Sequence, residues 1–310
     1  MSKRNKKGRD IDGVLILDKA SGQSSNSALQ EIKRLFGANK AGHTGSLDPL
    51  ASGLLPICLG QSTKVAQFLL DDDKRYFVRG KLGEISDTGD SEGQISKYGS
   101  TKCIDEALIK ETLKKFDGVI SQIPPMFSAL KKNGTPLYKL ARKGIEVERK
   151  PREVSIHEVQ FISLQDDVLT LEVFCSKGTY IRTLIEDIGK HLNCGGHVIE
   201  LRRIGFAHLI IDQSKPFKDL REMSIDELDN LLIGPDEMIP NLKSIYLDYD
   251  QSSDIKFGRK IQCSDLDSPQ KVKLYDAIKR FVGIGESNGS SDVLPKRLFI
   301  YSLFIIYLGS

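Results

Sequence analysis

"AGHTGSLDPLASGLLPICLG", residues 41–60, joins a polar, glycine-punctuated loop to an apolar run. The run at 54–59 predicts a buried strand that follows the loop directly. Reactive side chains are often carried by loops of this kind, because the strand fixes what the loop presents. Asp48, with Pro49 after it, stands between Leu47 and Leu50, and a carboxylate in such apolar company is unusual in a plain surface turn. We therefore interpret Asp48 as the residue that the fold positions.

Length and composition predict a large catalytic body with a smaller appendage. The chain has 310 residues, of which 39% are hydrophobic and 28% are charged, and this composition is enough to fill a sizeable core. The net charge is only +3, so any contact with nucleic acid must depend on local clusters of Lys and Arg.

The cysteines and the termini predict a cytoplasmic protein that does not enter a membrane. The five cysteines are odd in number and none forms a CxxC pair, which argues against a disulfide framework and a structural zinc site. The basic N-terminus leads into only a short apolar stretch, so no signal peptide is predicted. The apolar tail at 298–308 is too short to span a bilayer as a helix.

Strands and helices alternate along most of the chain, and the C-terminal part changes to short strands. Hydrophobic periodicity predicts strands at 14–17, 76–82, 154–164, 168–174 and 198–204, and helices at 26–36, 63–70, 104–116, 181–194 and 225–232. In the helix at 104–116, Ala107, Leu108, Leu113 and Phe116 are expected to face inward. After residue 246, the runs at 255–261, 271–274, 281–285 and from 298 onward predict a small second β domain.

Two basic segments predict contact with RNA or DNA. Residues 1–10 form a basic arm, which can lie along a phosphate backbone or serve only as a solubilising tail. Residues 122–152 combine a high density of Lys and Arg with Phe127 and Tyr138, and Asn133-Gly134 predicts a hairpin. A solvated basic loop is the alternative for this segment, but basic residues interleaved with aromatics favour a grip on nucleic acid.

Three further patterns in the sequence could indicate a competing site. Residues 87–89, Asp-Thr-Gly, occur once and between polar residues, so they predict a surface turn and not an aspartic-protease site. His191, Cys194 and His197 lack further metal ligands in a suitable context. Residues 53–60 lack the lysine of a phosphate-binding loop. No metal and no cofactor is therefore predicted.

Several separated motifs resemble the TruB family of tRNA pseudouridine synthases. They are GHTGSLDPLASGLLPICLG, Gly13-Val14-Leu15 with Asp18-Lys19 upstream, Lys74-Arg75-Tyr76, SKGTYIRTL and GGHVIELRR, in register from about residue 10 to about residue 211. The resemblance implies an α+β fold: a mixed, mainly antiparallel twisted sheet with flanking helices. It also implies a small, degenerate PUA-like β domain and the isomerisation of uridine to pseudouridine without a cofactor.

The same resemblance assigns roles to individual residues. Asp48 matches the catalytic carboxylate, Arg182 the arginine that pairs with it, and Tyr76 the tyrosine that stacks on the base and has a proton-transfer role. On spacing alone, Tyr76 would be a core aromatic and Arg182 a structural ion-pair partner. Burial would raise the pKa of Asp48 and keep it neutral, so a cation able to orient both carboxylate oxygens is expected beside it.

Five further positions match binding residues of the family. Tyr180 and Leu201 match residues that line the uridine pocket, and His43 matches a residue that contacts flipped T-loop nucleotides. Leu201 alone would be interpreted as core. Lys19 and Lys64 match basic positions near the site, with phosphate contact or loop support as their expected role.

The predicted organisation is a basic arm at 1–10, a catalytic domain at 11–245 with a thumb-like RNA-binding insertion at 122–152, and a small β domain at 246–310. The expected substrate is uridine 55 in the T-loop of tRNA, bound through the T-arm by a monomer that needs no protein partner. Two alternatives stay open: an RNA-binding, tRNA-folding factor with secondary catalysis, and a synthase that depends on a guide RNA.

Overall fold

The computed structural model describes residues 8–263, 266, 268–289 and 291–300, and a mixed sheet forms the centre of the larger part. The strands of this part are β1 (Gly13–Lys19), β2 (Ala41–His43), β3 (Ser52–Leu59), β4 (Lys74–Leu82), β5 (Glu84–Ser86), β6 (Ile95–Lys97), β7 (Gly118–Gln122), β8 (Lys131–Lys132), β9 (Thr135–Pro136), β10 (Arg152–Gln165), β11 (Val168–Cys175), β12 (Gly196–Phe206), β13 (Leu209–Ile210) and β14 (Lys215–Pro216).

Ten of these strands belong to one sheet, in the order β14-β1-β3-β12-β4-β11-β10-β7, with β2 on β3 and β13 on β12. The β1–β14 and β3–β12 pairs are parallel and the other pairs in this sheet are antiparallel. The predicted mixed, mainly antiparallel sheet is confirmed. β5 and β6 form a separate hairpin, as do β8 and β9, whose turn is the predicted Asn133-Gly134.

Short helices flank the sheet because each has one apolar stripe to bury. They are α1 (Ser25–Leu35), α2 (Ala66–Leu69), α3 (Glu106–Leu113), α4 (Leu137–Ala141), α5 (Ile181–His191), α6 (Phe217–Leu220), α7 (Ile225–Asn230) and, in the C-terminal part, α8 (Tyr249–Lys256). Ser24 caps α1 by accepting a hydrogen bond from the Ser27 amide at 3.1 Å. α5 buries Leu184, Ile185 and Ile188 in the main core. Among the described residues, no helix is both long enough and apolar enough to cross a membrane.

The C-terminal part contains a second, smaller sheet with its own core. Its strands are β15 (Lys243–Tyr246), β16 (Ile261–Gln262), β17 (Pro269–Tyr275), β18 (Phe281–Asn288) and β19 (Asp292–Leu298), in the order β15-β17-β18-β19-β16. Its core includes Val272, Leu274 and Val293. The expected domain boundary between 245 and 246 falls inside β15, which pairs with β17.

Some predicted elements were wrong in type or extent. The strand expected at 255–261 is replaced over most of its length by α8 and the turn after it, since Asp248 caps this helix by accepting a hydrogen bond from Gln251 at 2.7 Å. The last strand among the described residues, β19, ends at Leu298, and most of the run expected from residue 298 onward lies outside the described part of the chain. The helix expected at 63–70 is a 3₁₀ turn, Gly60–Lys64, followed by the single-turn α2, and no side chain caps either.

The burial pattern of α3 also differs from the prediction. Leu113 and Phe116 are buried as predicted, but Ala107 and Leu108 are exposed and Ile109 is buried instead. The apolar stripe is therefore rotated relative to the predicted face, because Ile109 and not Leu108 points to the core. Residues 1–7 of the basic arm predicted at 1–10, and residues 301–308 of the apolar tail at 298–308, lie outside the described residues.

Candidate active site

The loop between β2 and β3 carries Asp48 and is tied to the start of α1. The Ser25 hydroxyl accepts a hydrogen bond from the Leu47 amide at 2.7 Å and donates one to the Leu47 carbonyl at 2.9 Å. On the other side of Asp48, the Pro49 carbonyl accepts a hydrogen bond from the Gly22 amide at 2.8 Å. The backbone on both sides of Asp48 is therefore fixed by direct hydrogen bonds.

Arg182, in the first turn of α5, lies against this carboxylate. Its Nε is 2.9 Å from Asp48 Oδ2. Its terminal nitrogens donate hydrogen bonds to the carbonyls of Thr88 at 2.8 Å and Phe127 at 2.7 Å. The expectation that the guanidinium would orient both oxygens of Asp48 was wrong, since its contact is with Oδ2 and its terminal nitrogens are directed to the backbone carbonyls of Thr88 and Phe127.

The environment of Asp48 sets its protonation. The removal of water raises the pKa of this carboxyl group, Asp90 raises it further, and the charges of Arg182 and Lys19 oppose the change. The Asp48 side chain is still 38% exposed, whereas that of Arg182 is 5% exposed. The Asp48 carboxylate is therefore accessible to a ligand, whereas the Arg182 guanidinium beside it is buried.

Asp90 belongs to the site although the sequence did not predict it. It is buried, and its Oδ2 lies 3.5 Å from Nη1 of Arg182. Its other oxygen accepts hydrogen bonds from the Thr88 hydroxyl at 2.7 Å and the Glu92 amide at 3.1 Å. The predicted surface turn is present with Asp87 exposed, but a β-bridge between Asp90 and Val198 accompanies the burial of its last part, Gly89 and Asp90. No periodicity within SDTGDSEG signals this burial.

Tyr76 and Leu201 share one face of the central strands. Tyr76 on β4 is paired with Arg203 on β12, and Val78 is paired with Leu201. Leu201 is buried and Tyr76 is partly buried. Burial raises the pKa of the Tyr76 phenol, while the charge of Arg203 opposes that shift.

Arg203 is a second site residue that the sequence did not predict. It is 1% exposed and donates hydrogen bonds to the Leu54 carbonyl at 2.7 Å and the Gly45 carbonyl at 3.0 Å. It therefore joins β12 to both ends of the segment that contains Asp48. Its position in the LRR of GGHVIELRR is the only signal in the sequence, and that signal does not separate it from its neighbour Arg202.

Tyr180 and His43 lie at the edges of the same site. Tyr180 precedes α5, and its backbone exchanges hydrogen bonds of 3.0 and 3.1 Å with the side chain of Gln122. Burial raises the pKa of the Tyr180 phenol, and the negative charge of Asp48 adds to the shift. His43 ends β2, and burial together with the charge of Arg203 lowers its pKa.

The two lysines have different positions. The buried Lys19 ammonium donates to the carbonyls of Ala20 at 2.8 Å, Gln23 at 2.6 Å and Pro49 at 3.4 Å, so it supports the Asp48 loop. Lys64 donates instead to the side chain of Gln61 at 2.8 Å and to the Leu298 carbonyl at 2.5 Å. Lys64 therefore joins the larger part to the small β domain, and its expected place near the site was wrong.

The described residues contain no group of three or more His, Cys, Asp or Glu placed to hold a metal ion. His191, Cys194 and His197, weighed above as loose metal ligands, have other surroundings. His191 packs edge-on against Phe116, and the Cys194 thiol donates to the Gly195 carbonyl at 3.1 Å. His197 is buried in β12.

Family profiles match three consecutive segments of the chain. Residues 33–181 match "TruB family pseudouridylate synthase (N terminal domain)", and residues 182–239 match "tRNA pseudouridylate synthase B C-terminal domain". Residues 244–299 match "Pseudouridine synthase II TruB, C-terminal".

Curated relatives match nearly the whole chain. A protein from Actinobacillus pleuropneumoniae serotype 5b (strain L20) is 47% identical over 303 residues, which cover 96% of this chain and 99% of that protein. A protein from Haemophilus influenzae (strain ATCC 51907 / DSM 11121 / KW20 / Rd) is 48% identical over 289 residues, 92% of each chain. Both are named tRNA pseudouridine synthase B.

Solved structures share the fold at lower identity. A chain from a Cbf5-Nop10-Gar1 complex superposes with a TM-score of 0.69 at 23% identity, covering 93% of this chain and 85% of its own. A chain from an H/ACA RNP bound to a substrate RNA containing 2′-deoxyuridine also gives 0.69, at 20% identity, with 97% and 92% coverage.

Proposed function

The chain belongs to the TruB family of pseudouridylate synthases, and we propose that it isomerises uridine 55 in the T-loop of tRNA to pseudouridine. The observation that carries this proposal is the partly exposed Asp48 carboxylate against the buried Arg182, beside Tyr76, Tyr180 and Leu201. The nearly full-length match to proteins named tRNA pseudouridine synthase B supports the substrate.

The reaction exchanges one glycosidic bond for another. The C1′–N1 bond breaks, the uracil turns, the C1′–C5 bond forms, and the proton of C5 is lost while N1 gains one. Asp48 takes part in the first step on every route considered: attack on C1′, attack on the base, or elimination through a glycal. Each route requires the ionised carboxylate, which Arg182 favours against the effect of desolvation.

The neighbours of Asp48 hold the extruded base. Tyr76 provides an aromatic face for stacking and a phenol within the site, and Leu201 and Tyr180 close the pocket. Extrusion from the folded loop costs a few kcal/mol, and stacking inside the pocket offsets that cost. Lys19 and Arg203 act through the backbone, because both hold the Asp48 segment in place.

The segment 122–152 serves as the thumb that grips the T-arm. Its cations are mostly exposed, as contact with phosphates requires; these are Lys131, Lys132, Lys139, Arg142, Lys143, Lys150 and Arg152. The Arg142 guanidinium lies over the Tyr138 ring at 5.6 Å, which presents a flat cationic surface. Recognition then follows the shape of the folded arm more than its duplex sequence.

The proposal also divides the chain into a catalytic domain, a basic N-terminal arm and a small β domain. The catalytic domain begins at residue 11 and ends before β15, because β15 pairs with β17 and so belongs to the small PUA-like domain. The N-terminal arm 1–10 adds phosphate contacts. The relatives named tRNA pseudouridine synthase B favour an enzyme that acts on tRNA. Action without a guide RNA, as a cytoplasmic monomer, stays a prediction.

Release of label tests this function. Unmodified tRNA carrying tritium at C5 of its uracils is mixed with the purified chain, and tritium in water is counted. We expect one equivalent of release per tRNA, and none when the uridine at 55 is replaced by cytidine. Undiminished release from the cytidine variant would overturn the T-loop assignment, and tight tRNA binding without release would favour an RNA-folding factor.

A further inference from the structure

Arg203 is a buried cation without a carboxylate beside it. It is 1% exposed, and in the described part of the chain it forms no ion pair, whereas the adjacent Arg202 pairs with Asp18 at 2.7 Å. Its hydrogen bonds to the carbonyls of Gly45 and Leu54 satisfy two of its nitrogens but supply no negative charge. A guanidinium removed from water without a counter-charge is costly, so a further partner for its charge is expected.

The pairing of the central strands brings Arg203 to Tyr76. The two residues are directly opposite each other in the antiparallel pair of β12 and β4. Opposite side chains in such a pair lie on the same face, with their Cβ atoms about 4.5–5.5 Å apart. Between Arg203 and Gly205 the register shifts, so Ile204 is the extra residue of a bulge. Bulges bend a strand and re-aim side chains next to active sites, and this one directly follows the residue that faces Tyr76.

The groups that act on the Tyr76 phenol come from three different elements. Burial raises the pKa of this phenol most, and Cys175 on β11 and Asp48 on the β2–β3 loop raise it further. Arg203 opposes these effects through its charge and through a direct interaction between the two side chains. In the other direction, burial lowers the pKa of Arg203, and the Tyr76 phenol opposes that change. Each of the two side chains therefore favours the charged form of the other.

We propose that Arg203 is a positioning residue for Tyr76, which holds the phenol towards the base and stabilises the phenolate that removes the proton from C5. The proposal rests on the proposed function and extends the role of Arg203 beyond the backbone of the Asp48 segment.

The step that Arg203 supports follows the formation of the C1′–C5 bond. The phenol first gives its proton to water, and the phenolate oxygen then takes the proton of C5. The electron pair of the C5–H bond forms the C5–C6 double bond, and the second electron pair of the C6–N1 double bond moves to N1. N1 then takes a proton from water, so that one proton leaves C5 and one reaches N1 in each turnover.

Lys74 provides an internal comparison for Arg203. It is also buried, and its ammonium lies 5.1 Å from the centre of the Phe206 ring, as the Arg203 guanidinium does at 5.2 Å. Like Arg203, it donates to two backbone carbonyls, one of them that of Leu70 at 3.1 Å. The main groups that shift the pKa of Tyr76 include Arg203 but not Lys74. Lys74→Met therefore removes a buried cation from the same ring but leaves the partner of the phenol in place.

The test uses tRNA assembled from synthetic halves, with protium or deuterium at C5 of the target uridine. Pseudouridine formation is followed under single-turnover conditions, and the ratio of the two rates gives the isotope effect at C5. We expect Arg203→Met to lower the rate at least about 30-fold, since a general base contributes about 100-fold or more. The isotope effect should rise above the wild-type value in Arg203→Met and stay at that value in Lys74→Met.

The isotope effect separates this role from the support of the Asp48 segment. Without that support, the breaking of the C1′–N1 bond would become slower. This bond breaks before C5 loses its proton, so a merely structural loss would not raise the isotope effect at C5.

A double-mutant cycle with Tyr76→Phe tests whether Arg203 acts through the phenol. If it does, Arg203→Met should cost at least about 10-fold less in the Tyr76→Phe protein than in wild type, whereas Lys74→Met should cost the same in both. If circular dichroism shows that Arg203→Met does not fold, both measurements are made with Arg203→Lys, whose ammonium cannot serve the two carbonyls and the phenol together. Equal losses in the two backgrounds, or an isotope effect unchanged from wild type, would refute the proposal. Absence of turnover by wild type would instead refute the proposed function.

Discussion

Nε of Arg182 lies 2.9 Å from Oδ2 of Asp48, and Nη1 of the same guanidinium lies 3.5 Å from Asp90. One buried cation thus stands between two carboxylates that come from different loops. Its other bonds go to backbone carbonyls, so its position is set by the fold and not by the ligand. The positive charge of Arg182 opposes the rise in the pKa of Asp48 that burial causes, while the carboxylate is still open to a substrate.

Replacing Arg182 by lysine should lower turnover strongly although the charge remains. An ammonium cannot reach Asp48 and both carbonyls at once, because it lacks the planar fork of the guanidinium. We expect kcat to fall at least about 100-fold, as for the loss of one preorganised electrostatic contact, with tRNA affinity within about 3-fold. Single-turnover tritium release and filter binding measure the two effects.

Lys64→Ala is the control for Arg182→Lys, since Lys64 is another cation that donates to a backbone carbonyl and its replacement by alanine removes the charge altogether. Lys64 contacts Leu298 and the ring of Phe299, away from the site. Its loss should leave kcat near the wild-type value. A greater loss of activity in Lys64→Ala than in Arg182→Lys would contradict the assigned positions.

Asp90→Asn should shift the acid limb of the profile of activity against pH to lower pH. The charge of Asp90 raises the pKa of Asp48, and its removal also leaves Arg182 with one carboxylate to balance. Both effects lower the pKa of Asp48, so activity should persist to lower pH than in wild type. The measurement is single-turnover rate against pH, and a limb that moves to higher pH would show that Asp90 acts in another way.

Tyr76→Phe should separate stacking from the action of the phenol. Phenylalanine keeps the ring but loses the hydroxyl, whose pKa is raised by burial. If the phenol transfers a proton, the rate should fall about 100-fold or more with little change in binding. Tyr76→Leu should weaken binding as well, and equal rates for Tyr76→Phe and wild type would leave Tyr76 with stacking alone.

Lys19 supports the Asp48 loop, so its removal should reduce stability. Lys19→Met leaves carbonyls of the loop without their donor, at a cost of about 1–3 kcal/mol in the free energy of unfolding. The pKa of Lys19 is lowered to about 8 from 10.5, mainly by burial. The unfolded chain therefore binds the extra proton between these pH values, and the contribution of Lys19 to stability rises with pH across that window. Urea unfolding at pH 8 and pH 10 measures the difference, and a penalty that shrinks with pH would contradict it.

The sequence correctly predicted the strands and helices that form because of their own residues, without help from distant parts of the chain. β1, β3, β10, β11, α1 and α5 follow from apolar periodicity and from caps such as Ser24. α8 was missed because its signal is the cap at Asp248 and not an apolar stripe. The face of α3 was misassigned because Leu108 and Ile109 are adjacent and apolar, and only the position of the sheet decides which is buried.

Site residues that belong to a sequence motif could be predicted. Those that reach the site only through tertiary contacts could not. Asp48 stood out by its neighbours Leu47 and Leu50, and the other site positions came from the family resemblance. Asp90 and Arg203 were missed because their burial depends on a bridge to Val198 and on carbonyls of a distant loop. The role of Lys64 depends on contacts with Leu298 and Phe299, at the far end of the chain.

The central claim is that Asp48 is the reacting carboxylate, and Asp48→Asn tests it most directly. Asparagine keeps the shape and the contact distance to Arg182 but cannot carry the negative charge. Tritium release from C5-labelled tRNA is measured under single-turnover conditions beside a binding assay. We predict that release is abolished while tRNA affinity stays within about 3-fold of wild type; substantial release by Asp48→Asn at the wild-type level of binding would contradict the claim.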